Sequence, residues 1–443
     1  MESDFSVPFQ GINLDIPLDL VSFNFHHVSS HLGKINVLAP DDIVKKVFDL
    51  TVNLYKKEIQ VLGFSVAPDS YVKEHYRDEI DSAVKNFLLH YFVLDFIIER
   101  VIELKIPVAS YPRLIAVEDI FQVGVNFTFD ISLADNLEIK EWKYFPFKSP
   151  RRKNYKDLDK QVDIFLKKSI EGIKKIKYDV VEDGDWVYFE VILTDNDNKI
   201  ILPFYKRCFW LKINPQSFTV IVSKYFSNKK NGDSFCIDLL PLSKDFEDNI
   251  FERHNFFVTI KDIVKGNVFL VNDFRSVFKL KNKVELHEKL IEVFSFRNDV
   301  SQRRSIIEEM FHLFFSKHRF EVPKHLVIRK KEDLLLFIKK RPDYLVYKQN
   351  LDFEDQVERL SERILKEEIL MDQIAGNEDI IVDSKDIKCY LNLLCNSRLK
   401  EFVYFRPLNE AFDESIVPIH DTLLQQTCRR EKTLNHILYT LTK

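Results

Sequence analysis

The chain has 443 residues, too many for one hydrophobic core, so we expect roughly two to four domains. With 45% hydrophobic and 30% charged residues, each domain can bury a core and remain soluble. The formal net charge of −4 gives no general attraction to nucleic acid or membranes, and the 9 glycines argue against glycine-rich phosphate loops. Because phenylalanine is abundant at 39 residues, we expect some rings to be exposed for binding apolar partners.

Several kinds of chemistry have no support in the sequence. The 5 cysteines are scattered without a C-x-x-C pair, which argues against a disulfide framework or a metal site. The pair His26-His27 has no H-E-x-x-H pattern, and no P-loop, G-x-S-x-G or dinucleotide motif occurs. No segment approaches the roughly 18 apolar residues of a membrane span, and the N-terminus lacks an apolar signal core. We therefore expect a cytoplasmic protein with no cofactor, metal, membrane or DNA partner.

The first 133 residues predict one α+β domain. Residues 1–40 are strand-like, and Asp41 is a suitable N-cap for the helix that follows. A longer helix is predicted from about Ser70 to Lys105, where apolar residues recur at steps of four and three. Residues 123–133 then alternate strictly between apolar and polar, which is typical of a half-buried strand.

Residues 134–177 differ in composition and predict a connecting arm. Between Lys143 and Lys177 there are twelve Lys or Arg against four Asp or Glu, with aromatic residues interleaved. A solvated linker is the favoured interpretation, and a contact with RNA phosphates is the alternative. No RNA-binding motif accompanies the charge.

The remaining chain divides into a β-rich part, 178–266, and a mostly helical part, 267–443. Within the helical part, Met310 and Phe314 belong to an amphipathic helix that ends before F-E-V-P. Pro323 disfavours helical backbone in the residue before it and is well placed to start a second helix. The pattern beyond residue 403 is mixed and predicts no particular fold.

This order of parts, together with the helix, the extended F-E-V-P joint and the second helix, resembles the bacterial trigger factor family. The resemblance implies a multidomain α+β protein. Its expected parts are a ribosome-binding-like domain at 1–133, an FKBP-like β-rich domain at 178–266 and an all-α chaperone domain with arms at 267–443. The implied function is ATP-independent binding of nascent or unfolded polypeptides.

In that family a G-F-R-x-G-K loop docks on the large ribosomal subunit beside the exit tunnel. Here Gly63 and Phe64 match the pattern, whereas Ser65 replaces the arginine and Pro68 replaces the lysine. Loss of two cations removes charge-assisted contacts and weakens such docking. Lys56, Lys57 and Lys73 are the nearby cations that could compensate.

The family's middle domain is a peptidyl-prolyl cis-trans isomerase, whose apolar aromatic pocket twists the X-Pro amide against a barrier of about 18–20 kcal/mol. Its proline-glycine-aromatic turn falls here on residues 220–222, which read V-I-V. Tyr225, Phe246 and Phe257 are candidate replacement rings, although an ordinary core role is favoured. We therefore expect the fold without strong isomerase activity.

The family's helical domain encloses polypeptides between arms with apolar inner patches. Two clusters are candidate client surfaces, although each residue in them is more often a core residue. They comprise Phe311, Phe314 and Phe315 in the first helix, and Leu335 and Phe337 in the second.

The sequence thus predicts a divergent trigger-factor-like chaperone that binds unfolded or nascent chains and docks on the ribosome. Two alternatives stay open. One is an active prolyl isomerase, and the other is a ribosome-independent scaffold for a single partner.

Overall fold

The computed structural model describes residues 21–442, apart from the following positions. They are 30, 105, 107, 110–111, 135–138, 140, 148–156, 174–178, 196, 203–204, 214–223, 238–254, 267, 299, 340, 396–398 and 407–417.

The first sheet has four antiparallel strands in the order β1-β2-β4-β3. They are β1 (Ser22–Ser29), β2 (Leu32–Pro40), β3 (Arg113–Ile120) and β4 (Gly124–Ser132). Strand β4 is central because β2 and β3 both pair with it. Its alternating Phe127, Phe129 and Ile131 are fully buried, as period-2 patterning predicts.

Four helices cover this sheet: α1 (Asp41–Glu58), α2 (Asp69–His75), α3 (Arg77–Leu88) and α4 (Leu94–Glu103). The single helix predicted from Ser70 to Lys105 is wrong in detail. Tyr76, with φ −123° and ψ 25°, breaks it near its start, and a π-helical turn over Leu89–Val93 interrupts it again. A π turn widens the ring closed by each hydrogen bond and so changes which carbonyls are available to other groups.

The second sheet has five strands in the order β7-β8-β5-β6-β9. They are β5 (Trp186–Thr194), β6 (Arg207–Lys212), β7 (Ser234–Ile237), β8 (Asn255–Val264) and the short β9 (Ile419–His420). Its first four strands come from the predicted β-rich part. The fifth lies far along the chain, so the C-terminal region completes this sheet.

One face of the second sheet packs against the π turn of the N-terminal helices. The Tyr205 ring lies 5.3 Å from the ring of Tyr91 and 4.8 Å from that of Phe92. Arg207 donates hydrogen bonds of 2.9 Å to the carbonyl oxygens of His90 and Tyr91, and it pairs with the buried Asp95. The N-terminal and middle parts therefore share one continuous core.

Among the described residues, eight further helices follow in the C-terminal part. They are α6 (Val271–Val277), α7 (Lys283–Asn298), α8 (Val300–Lys317), α9 (Lys324–Lys339), α10 (Tyr344–Lys348), α11 (Phe353–Asn377), α12 (Ser384–Cys395) and α13 (Asp421–Leu441). Helix α5 (Leu158–Ile173) precedes them and belongs to the basic segment. Helices α8 and α9 confirm the predicted helix, joint and helix. Helix α13 occupies the region for which the sequence predicted no fold.

Several described residues of the basic segment 134–177 pack against the C-terminal part. Trp142 is buried, and its Nε1 donates a 3.2 Å hydrogen bond to Glu378, to which Lys143 also binds at 2.6 Å. Leu158 and Val162 of α5 are buried together with residues of α7. Of the strand-like residues 1–40, positions 1–20 and 30 lie outside the described residues.

The junction between helices and second sheet contains a carboxyl group that should make stability depend on pH. Burial raises the pKa of Glu99 in α4 from 4.5 to about 7. Between those values the folded chain holds a proton that the unfolded chain releases, so this contribution lowers the free energy of unfolding as pH rises from about 4.5 to 7.

We expect Glu99→Gln, which mimics the protonated side chain, to leave stability near its wild-type value at pH 5. At pH 8 it should raise the free energy of unfolding by up to roughly 3 kcal/mol. Urea unfolding at both pH values measures this. Glu118→Gln is the control, because that side chain is exposed. An equal effect of Glu99→Gln at both pH values would contradict the assignment.

Candidate functional site

The loop between α1 and α2 presents three apolar side chains to solvent. Leu62 is fully exposed, Phe64 is 59% exposed and Val66 is 55% exposed. The turn that carries them needs Gly63, whose φ of +89° lies in the left-handed region. The amide of Phe64 closes this turn with a 3.1 Å hydrogen bond to the carbonyl of Val61.

The ends of this loop are fixed. Ala67 is buried, and Pro68 precedes the first turn of α2, where its carbonyl accepts a 3.1 Å hydrogen bond from the amide of Val72. Ser65, like Phe64, is exposed. The loop is therefore exposed, and the large side chains that it presents to solvent are apolar.

Two of the nearby lysines are already paired with carboxylates. Lys56 pairs with Asp69 and lowers the pKa of that carboxyl group through their hydrogen bond. Lys73 lies 3.5 Å from Asp49. Lys57 is exposed. The charge beside the loop is thus largely balanced within the protein.

Helices α9, α10 and α11 form a second exposed feature, which we call the arm. Leu326 and Val327 of α9 are buried together with Leu365 and Ile369 of α11. Ion pairs reinforce the contact, including Lys330 to Glu368 at 2.9 Å. Helix α11 is held to α13 by Arg430, which donates two hydrogen bonds to Asp372, of 2.9 and 2.6 Å.

The outer side of the arm exposes apolar side chains. Helix α10 has no buried residue, and Leu351 just beyond it is fully exposed. The exposed apolar residues of the arm, which we call the arm patch, are Ile328, Leu336, Leu345, Val346, Tyr347, Leu351 and Leu360. Sequence reasoning missed α10, because the run from Tyr344 to Lys348 is too short to show a helical repeat.

The client-surface candidates separate into core and surface residues. Phe311 and Phe314 are buried in a cluster with Met371, Ile374 and other residues, so they are core residues in this structure. They lie on the face of α8 that packs inward, which periodicity alone could not assign. The other three candidates are half-buried: Phe315, Leu335 and Phe337.

The isomerase-pocket candidates do not form a described pocket. Tyr225 is half-buried and packs against the shared core, and Phe257 is half-buried on β8. Phe246 and residues 220–222 lie outside the described residues. One face of the sheet that would carry the pocket is filled by Tyr91, Phe92 and their neighbours.

Metal and membrane features are absent from the part of the chain that the structure describes. Among those residues, no group of three His, Cys, Asp or Glu side chains could hold a metal ion. In the same residues, none of the helices has the length and apolar character that crossing a bilayer requires.

Known proteins match this chain along most of its length. The family model for bacterial trigger factor protein matches residues 21–168. The trigger factor of Geotalea daltonii is 23% identical over 381 residues, which cover 81% of this chain and 84% of that protein. A solved structure titled "Promiscuous Substrate Recognition in Folding and Assembly Activities of the Trigger Factor Chaperone" covers 94% of this chain and 99% of its own, with 14% identity and a TM-score of 0.37.

The two sheets and the helical C-terminal part define a multidomain α+β protein with an arm that exposes apolar side chains. The family model over residues 21–168 and the relative from Geotalea daltonii together support a divergent member of the trigger factor family of chaperones.

The division between core and arm residues predicts that truncation lowers stability strongly at a core position and very little at an exposed arm position. Phe314→Ala should lower the free energy of unfolding by about 3–5 kcal/mol, because it leaves a cavity in a closed cluster. Leu351→Ala should change it by less than about 0.5 kcal/mol, because the side chain touches solvent. Urea unfolding of both variants measures this, and a small effect of Phe314→Ala would place that ring outside the core.

Proposed function

We propose that this protein is an ATP-independent cytoplasmic chaperone that binds unfolded or nascent polypeptides through the arm patch. The exposure of Leu345, Val346 and Leu351 on the arm carries the proposal. Apolar side chains kept in water gain about 25 cal/mol per Å² when another apolar surface covers them. This gain needs no particular sequence in the bound chain, which suits a protein that accepts many unfolded clients.

We further propose that the loop of Leu62, Phe64 and Val66 docks on the large ribosomal subunit near the exit tunnel. Its position after α1 and its Gly63-Phe64 pair match the family's docking loop. The domain division at about residues 133, 177 and 266 is part of this proposal, with the first part docking and the last part holding the client.

Isomerase activity is not part of the proposed function. The family's pocket turn is replaced by V-I-V, and the second sheet packs one face onto the N-terminal helices. The opposite face is also partly occupied, since Trp210 donates a 2.7 Å hydrogen bond to Asp421 at the start of α13. These features favour a structural role for the middle sheet.

The chaperone proposal predicts that the triple variant Leu345→Ser, Val346→Ser, Leu351→Ser loses most of its ability to suppress aggregation of a chemically unfolded client. The reason is that the replaced side chains no longer offer apolar surface to the client. Light scattering during dilution from denaturant measures this. Phe121→Ser is the control, because Phe121 is 85% exposed but lies on the turn between β3 and β4. Unchanged suppression by the triple variant would remove the arm patch from the function.

The docking proposal predicts that Phe64→Ala weakens co-sedimentation with vacant and translating ribosomes about tenfold or more, whereas Phe121→Ala leaves it unchanged. Both phenylalanines are exposed and belong to the same N-terminal part. If no wild-type protein sediments with ribosomes even at low salt, while aggregation suppression is intact, the protein is a ribosome-independent chaperone.

A further inference from the structure

A cleft near the arm is lined by charged as well as apolar residues, whereas the arm patch is apolar. It lies between the first turns of α8 and the middle of α11, and the segment 403–406 closes one side. Its volume is about 330 Å³, which is enough for one or two side chains of a bound chain. Four arginines and two glutamates line it, so its walls have an excess of positive charge.

The two carboxylates of the cleft are already engaged. One oxygen of Glu367 accepts a 2.8 Å hydrogen bond from Arg363, and the other accepts one of 2.8 Å from the hydroxyl of Tyr404. Glu308 lies 3.5 Å from Arg363. A cationic ligand would have to displace these partners, which disfavours basic segments at this place.

The arginines do not all face the cleft in the same way. Arg303 is buried and turned toward the protein interior, where it lies 3.3 Å from Glu431 and 4.0 Å from the ring centre of Phe402. Arg304, one residue later, is exposed and pairs with no carboxylate within the described chain. It is the cation best placed to meet an anion that enters from solvent.

An apolar wall also lines the cleft. Leu360 of α11 is 43% exposed, and Ile364 on the same helix is half-buried. The buried Ile307 and Val403 lie beneath them. A ligand that fills the cleft therefore combines a carboxylate with an aliphatic or aromatic group.

We propose that this cleft binds acidic-apolar segments of unfolded polypeptides, in which Asp or Glu stands beside a large apolar residue. The inference rests on the proposed chaperone function, because Leu360 belongs both to the arm patch and to the lining of the cleft. The arm patch supplies general apolar binding, and the cleft adds a preference for carboxylates.

The test compares two short unstructured peptides labelled with fluorescein. They have the same Gly, Ser, Leu and Phe content, and one contains Glu beside each apolar residue where the other contains Lys. Fluorescence anisotropy should show tighter binding of the acidic peptide. Arg304→Glu should weaken that binding about tenfold or more and should not weaken binding of the lysine peptide.

The matched control is Arg319→Glu, which makes the same charge change at an exposed residue just beyond α8 and outside the cleft. Leu360→Ser should weaken binding of the acidic peptide as well, because it removes the apolar wall. Both replaced side chains are exposed, and thermal melting checks that the variants remain folded.

Three outcomes would overturn the proposal. The first is equal binding of the two peptides, and the second is equal weakening by Arg304→Glu and Arg319→Glu, which would indicate a long-range field. The third is displacement of the acidic peptide by N-acetylglutamate at the peptide's own concentration, which would indicate a site for small anions. In each case, intact aggregation suppression by the wild-type protein would leave the proposed chaperone function standing. If the wild-type protein does not suppress aggregation, both the chaperone function and the cleft proposal are overturned.

Discussion

The buried contact of Arg207 with the π turn connects the two halves of this protein. A π turn frees backbone carbonyls that an α-helix would use internally, and Arg207 binds those of His90 and Tyr91. The nearby Asp95 balances its charge, while burial and the Arg207 charge lower the pKa of His420 on β9. Without that arrangement an uncompensated guanidinium would lie in the shared core. The N-terminal helices, the middle sheet and the C-terminal strand β9 therefore depend on one another.

This junction also determines what remains available for function. Because the middle sheet is engaged on one face by Tyr91 and Phe92, its aromatic residues act mainly as core. The apolar side chains that stay in solvent include those of the loop around Phe64 and of the arm around Leu345. The arm can expose such residues because its own cohesion comes from a narrow apolar contact and from ion pairs such as Lys330 with Glu368. The buried contacts of the arm and its exposed apolar side chains thus belong to the same helices.

Some features of the fold and site could be predicted from local pattern, whereas others could not. The alternation in β4 and the F-E-V-P joint are local, and both are present as predicted. The solvent exposure of a side chain, in contrast, cannot be read from the local sequence pattern. Phe314 and Leu351 are both apolar residues in helical surroundings, yet one is buried and the other is fully exposed. Which face of a helix is covered depends on neighbours distant in sequence, and Leu434 of α13 is one such neighbour of Phe314.

By itself the sequence determined the order of the parts, the family resemblance and the position of the Gly63-Phe64 loop, because periodicity and turn residues act over a few positions. Only the tertiary structure decided that β9 completes the second sheet, that Arg207 joins it to a π turn and that Leu360 opens into a cleft lined by arginines. These features bring together residues separated by tens to hundreds of positions. Their formation depends on the balance of burial and charge across the whole chain, which no local pattern records.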